Sequence, residues 1–324
     1  MIEQKTLLKR VQARGIGLHS GAQVELEILP APADTGIRFR RVDLSGVADI
    51  EARAENVVDT ELSTTLSNGT AQVATVEHLM AAFAGLGVDN ALVELSAAEL
   101  PIMDGSAAPY VVLLHSAGLV EQGVPRKFLR VLQEVCYTEN DESAQLAPYS
   151  GFRLNYTLHY DRPVLRDHNS SVTLECADLV GTGEQCTMGL DRFEQVFETE
   201  VCRARTFGLL EDIEGLRSRN LARGGSLDNA VVMDSSGIMN ADGLRQEDEL
   251  AKHKILDAIG DLYLLGRPVI GAFSGHKSGH RANNRLLRKL LADADNFETI
   301  TLATGGNAID GMIEPLGKAA RSSR

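Results

Sequence analysis

No stretch of this sequence is apolar for long enough to cross a membrane. Its first residues, MIEQKTLLKR, lack the apolar core of a secretory signal. These absences predict a cytoplasmic protein without integral membrane association. Cysteine is scarce: Cys136, Cys176, Cys186 and Cys202 include no C-x-x-C pair and fit no common structural zinc pattern, so free thiols are expected. Positive charge is short too. With 32 Lys and Arg against 45 Asp and Glu, the net charge is −13, which argues against nucleic acid or an anionic membrane as the main partner and requires any phosphate site to be local. The H-E-x-x-H signature of helical zinc peptidases is also missing.

What is present is enough apolar sequence, 44% of 324 residues, for two cores of ordinary size. Val24, Leu26 and Ile28 alternate with polar residues as a half-buried strand should, and Asn68-Gly69 marks a turn. TVEHLMAAFAGLG reads as a helix with Thr75 as its N-cap, and AAPYVVLLHSAGL as a second. EQGVPRKF (121–128) has the Gly, Pro and charge of a linker, which divides the chain into residues 1–124 and 125–324. Beyond it come strands, an irregular region to about residue 200, and a helix over 244–266. Gly85 follows His78 by seven residues, as Gly260 follows His253, and each helix precedes an apolar strand. That similarity predicts two related α+β domains, each a sheet covered by helices, joined so that the two histidines meet. Nothing reads as a dedicated interface, so a monomer is expected.

His253, Asp257 and Asp261 recur every four residues on the 244–266 helix and so form one polar stripe. Two readings stand. The stripe is an exposed face of an amphipathic helix, or His253 and Asp257 hold one metal ion from a single face. Glu77-His78, adjacent on an otherwise apolar helix, offer a third ligand and a base, although a lone helical histidine is commonly a core residue. Three ligands with one open position are the pattern of catalytic zinc, and such an ion lowers the pKa of a water toward about 7. After the strand PVIGAF, the glycine-rich SGHKSGHRANN carries His276, Lys277 and His280 into a helix starting near Ala282. This is either an anion-binding turn or a solvated connector.

TVEHL (75–79), RARTFG (203–208), HKILDAIGD (253–261) and KSGH (277–280), with the early GIGLHSG, resemble as a set the bacterial UDP-3-O-acyl-N-acetylglucosamine deacetylases. The resemblance runs from about residue 2 to about 305. It implies removal of the N-acetyl group from an acylated UDP-sugar in the committed step of lipid A synthesis. It further implies Zn2+ (or Fe2+ in the cell) on His78, His253 and Asp257, with Glu77 as general base. His280, supported by Asp261, would protonate the amine; Thr206 would meet the oxyanion; Lys254 and Lys277 would approach the charged part of the substrate; Leu62 and Phe207 would lie near it. The implied fold sandwiches the helices of both domains between their sheets, each domain with a small insert, and the second insert, about 200–230, forms an acyl passage. Two features depart from the family: the 176–200 segment is long, and His276 stands where an aromatic residue is common. The competing readings are a zinc amidase for another acylated or nucleotide sugar and a non-catalytic nucleotide-sugar binder.

Overall fold

The computed structural model describes residues 1–162, 166, 168–176 and 183–302. Residues 177–182 of the long segment, the side chains of Cys176 and Cys186, and residues 303–324 lie outside the described residues; Cys136 and Cys202 are free thiols. The architecture is α+β. A five-stranded sheet runs in the order Val11–Ile16, Gln23–Pro30, Ala91–Leu95, Ile37–Arg41, Ile50–Glu51. Val24, Leu26 and Ile28 point into the core from it, as their alternation requires.

A seven-stranded sheet draws its strands from the second half. Val269–His276 lies at its centre, antiparallel to Glu142–Ala147 and parallel to Phe152–Leu158 and Lys127–Val131. Two three-stranded sheets are added, one from Val57–Asp59, Thr65–Ser67 and Gln72–Val73, the other from Phe207–Leu209, Val231–Asp234 and Gly237–Ile238.

Six α-helices lie among the described residues: α1 (Glu77–Leu86), α2 (Ala108–Ala117), α3 (Gly183–Val196), α4 (Leu210–Ser218), α5 (Glu249–Tyr263) and α6 (His280–Leu291). α1 packs on α2 and α5, and α5 also packs on α6 and on strand Phe152–Leu158. One apolar core runs through both halves. α1 and α5 are buried nearly all round, which is how a helix apolar on most faces is used. Their crossing is set by Gly260, where a Cβ would run into the Glu77 carbonyl. Gly260→Ala should therefore cost about 1–3 kcal/mol and lower activity by moving Glu77 and His78. Gly215→Ala, on exposed α4 with open space around it, should do neither; melting and rate measured on both variants test the pair.

Several expectations are corrected. Residues 121–128 are not a linker: Leu119–Pro125 pairs with Glu3–Leu7, and Lys127–Val131 joins the seven-stranded sheet. Gly123, at φ +68, sits opposite a register shift, and Pro125 ends the strand, so the residues typical of a linker serve a bulge and a strand end here. The long helix begins at Glu249 rather than Leu244, because Asp248 is left-handed at φ +59 and the Arg245 amide is bonded to Glu249. Thr75 is not an N-cap; it is itself left-handed at φ +60, its hydroxyl reaches Glu99, and Val76 takes the cap position.

From Gly183 on, the region before residue 200 is not irregular. α3 continues into a π-helical turn, Phe197–Val201, and lays Leu190, Phe193 and Phe197 on the core. The last helix starts at His280, two residues earlier than expected.

Candidate metal centre and active site

α5 carries its polar stripe inward. His253, Asp257 and Asp261 are 2%, 4% and 2% exposed, so the exposed-face reading is excluded. Across the helix crossing stands His78 of α1. Its Nε2 lies 3.6 Å from Asp257 Oδ1, His253 Nε2 lies 3.4 Å from the same oxygen, and one donor atom from each of the three residues falls within 4.8 Å of the others. The two imidazoles are edge to face, 5.1 Å apart. Asp257 Oδ1 has no hydrogen-bond partner despite its burial, a costly arrangement for a carboxylate unless something else binds it.

The protonation states agree with a ligand set. His253 Nδ1 donates to the Ala204 carbonyl at 3.0 Å, which leaves the Nε2 lone pair facing Asp257. Burial, assisted by His78 and Lys254, pushes the His253 pKa down to about 3 against the pull of Asp257, so the ring is neutral. Burial works against the Asp257 carboxylate, but the surrounding imidazoles and the Lys254 ammonium, 2.8 Å from Oδ2, hold its carboxyl well below the usual range. Two imidazole nitrogens and one ionised carboxylate fit a divalent metal of the zinc or ferrous type.

Beside this set lies a second one. Glu77 Oε1 is 3.7 Å from His280 Nε2, and its Oε2 accepts the Thr64 amide at 3.0 Å. His280 Nδ1 donates to Asp261 Oδ2 at 2.9 Å. The same carboxylate accepts Asn283 Nδ2 at 2.8 Å and the Thr64 hydroxyl at 2.6 Å. Burial raises the Glu77 carboxyl, in part against the pull of His280 and His78. For His280, burial opposes the charge, but Asp261 and then Glu77 outweigh it and the pKa is pushed up to about 10. The helix N-terminus at His280, which favours the neutral ring, is overcome by these carboxylates.

Two cavities lie beside this centre, and the polar one reaches His280. One, of about 250 Å³, is lined largely by Leu210, Ile213, Leu216, Leu227, Ala230 and Val232. The other, of about 740 Å³, is polar and includes Tyr160, Lys254, Lys277, His280 and Arg281. Leu62, Thr206 and Phe207 line both. The Phe207 ring lies 6.2 Å from that of His253, with the Lys254 ammonium 5.5 Å over its face. Lys277 is paired with Asp141 at 2.6 Å, and the turn that carries it is anchored by the Tyr156 hydroxyl on the Ser278 carbonyl. His276 is exposed at the end of its strand.

Sequence reasoning missed Thr64, Asn283 and His19. Asn283 follows His280 by three residues on one helix face, which is a readable signal. Thr64 sits in the STTLS run just before the strand Thr65–Ser67 and has no such signal. His19, part of the GIGLHSG turn, lines the apolar cavity with neither ring nitrogen bonded.

This geometry agrees with what comparison of the sequence finds. A profile of the family described as LpxC: UDP-3-O-acyl N-acetylglycosamine deacetylase matches residues 4–292. A protein named UDP-3-O-acyl-N-acetylglucosamine deacetylase from Pseudomonas entomophila (strain L48) is 52% identical over 316 residues, 98% of this chain and 99% of its own. One of the same name from Hahella chejuensis (strain KCTC 2396) is 50% identical over the same length and shares. With a profile spanning that much of the sequence and relatives sharing half its residues almost end to end, the chain belongs to the UDP-3-O-acyl N-acetylglycosamine deacetylase family.

Proposed function

We propose that this chain hydrolyses the N-acetyl group of UDP-3-O-[(3R)-hydroxyacyl]-N-acetylglucosamine, releasing acetate, in the committed step of lipid A biosynthesis. The observation that carries the reading is the unpartnered Asp257 Oδ1, buried between two imidazoles and next to a carboxylate–imidazole pair. His78, His253 and Asp257 would hold Zn2+, with Fe2+ the alternative in the cell. Bound there, the ion supplies Lewis acidity, polarising the acetamide carbonyl and lowering the pKa of a water toward about 7.

The protein's own groups do the rest. Glu77 takes a proton from the attacking water. Thr206 donates to the oxygen that gains negative charge, and the His280 imidazolium, oriented by Asp261, gives its proton to the departing amine. Lys254 and Lys277 attract the diphosphate, and Leu62 and Phe207 flank the sugar where the two cavities meet. The apolar cavity takes the acyl chain. We place the domain boundary at residues 124/125 and expect a cytoplasmic monomer. No helix among the described residues is long and apolar enough to span a membrane.

Acetate release measured on acylated and non-acylated UDP-N-acetylglucosamine tests this reading. Each buried methylene contributes up to about 0.8 kcal/mol, so a chain burying four of them should raise kcat/KM by about two orders of magnitude. Equal kcat/KM for the two substrates would assign the centre to an amidase for some other sugar.

A further inference from the structure

The polar stripe of α5 does not stop at His253. One turn earlier, at the same spacing of four, comes Glu249, which is 0% exposed. It lines neither cavity, and its carboxylate bonds to no group assigned a part in the hydrolysis. Its carboxylate is nonetheless fully engaged: Oε1 accepts the Arg205 amide at 3.0 Å and Arg205 Nε at 2.8 Å, and Oε2 accepts Arg205 Nη2 at 3.0 Å and the Arg245 amide at 2.7 Å. Arg205, 6% exposed, also donates to the Gly243 carbonyl at 2.8 Å. Arg245 continues the network to Asp104 of the first half and to the Arg203 carbonyl.

A buried ion pair is a poor source of stability, because desolvating both charges consumes most of what their attraction returns. What this one does is hold a loop. The flanking residues of Arg205 are Ala204, whose carbonyl receives His253 Nδ1, and Thr206, which lines both cavities and whose amide is bonded to the Gly105 carbonyl at 2.8 Å. A hydrogen bond on the far nitrogen of a metal-binding histidine fixes its tautomer and ring orientation, and losing such a partner typically weakens metal binding by about 10- to 100-fold.

We propose that Arg205 and Glu249 are positioning residues for the metal centre: their buried two-pronged contact fixes the 203–206 loop on the first turn of α5, so that Ala204 aims His253 Nε2 at the metal and Thr206 faces the substrate. The inference rests on the metal-binding reading given above. The spacing explains why one helix suffices, since Glu249 and His253 are successive residues of one stripe. The pair sets the frame in which the histidine points.

The test is Zn2+ affinity, measured on metal-stripped chain by competition with a chromophoric chelator. In Glu249→Gln the new amide NH2 must face either Arg205 Nη2 and the Arg245 amide or Arg205 Nε and the Arg205 amide, donor against donor in both orientations, and the loop loosens. Zn2+ affinity should fall by about 10- to 100-fold. Arg205→Lys keeps the charge and loses the fork, so it should fall toward the lower end of that range, and it carries the test should Glu249→Gln not fold. The control is Asp89→Asn, which breaks another buried ion pair, Arg126–Asp89 at 2.8 Å, away from the centre. With a similar drop in Tm it should bind Zn2+ like the unaltered chain. Variants at 249 and 205 that bind Zn2+ as the unaltered chain does, or no more weakly than the Asp89 control, would overturn the inference alone. An unaltered chain that takes up no Zn2+ would sink the metal reading and this inference with it.

Discussion

Replacing His253 or Asp257 with alanine should leave a folded chain that has lost both its metal and its activity, whereas Glu77→Gln should lose activity and keep the metal. Three proposed ligands from two helices would leave no redundancy, and each supplies an atom that lies close to the others in a buried pocket. His78→Ala should behave like the α5 variants. Glu77 contributes no atom to the triad; its oxygens face Thr64 and His280. Removal of a general base costs about 10²- to 10⁴-fold in rate, and that is the loss expected of Glu77→Gln. Metal counts on the purified variants, beside acetate release, separate the two classes. A normal metal content in His253→Ala would remove that residue from the ligand set.

The second large effect is on the pH profile. His280 is held as an imidazolium by Asp261 and Glu77 with a pKa pushed up to about 10, so a reaction that needs its proton should run through neutral pH and fall as pH rises through about 10. The sign follows from the direction of the shift: a raised pKa keeps the charged form below it and loses it above. On the acid side, burial raises the Glu77 carboxyl, and activity should climb as that base ionises. The two limbs belong to the coupled pair rather than to either residue alone.

Asp261→Asn removes the stronger of the two carboxylate partners of His280 and should move the basic limb to lower pH. His280→Ala should lower kcat by about 10²- to 10⁴-fold and abolish the limb in what activity survives. A descending limb unchanged in His280→Ala would mean that another group gives it, and the acid role would have to be withdrawn.

The stripe on α5 was legible because a spacing of four on a helix is a geometric statement that needs no tertiary knowledge. Residue burial was not legible: whether His253, Asp257 and Asp261 faced water or a second helix depended on α1, about 175 residues away in sequence. The same limit hid Thr64, which binds Asp261 and Glu77 from just before a short strand of the first half. It also hid Glu249, whose meaning lies in Arg205. The misreading of residues 121–128 has another cause, since Gly, Pro and charge favour linkers and bulged strand ends alike. At Thr75 a propensity for capping lost to a tertiary hydrogen bond with Glu99.

The regular spacing of the α5 stripe carries one more consequence. A helix turns about 100° per residue, so a step of four overshoots a full turn by about 40°, and the row from Glu249 to Asp261 winds through about 120° while advancing about 18 Å along the axis. The four side chains therefore share a row without sharing a direction: the first meets the 203–206 loop, the middle two meet α1, and the last meets α6. This makes phase the constrained quantity. One residue gained or lost between Asp257 and Asp261 would swing the second carboxylate by about 100° away from His280, with every residue of the stripe still present.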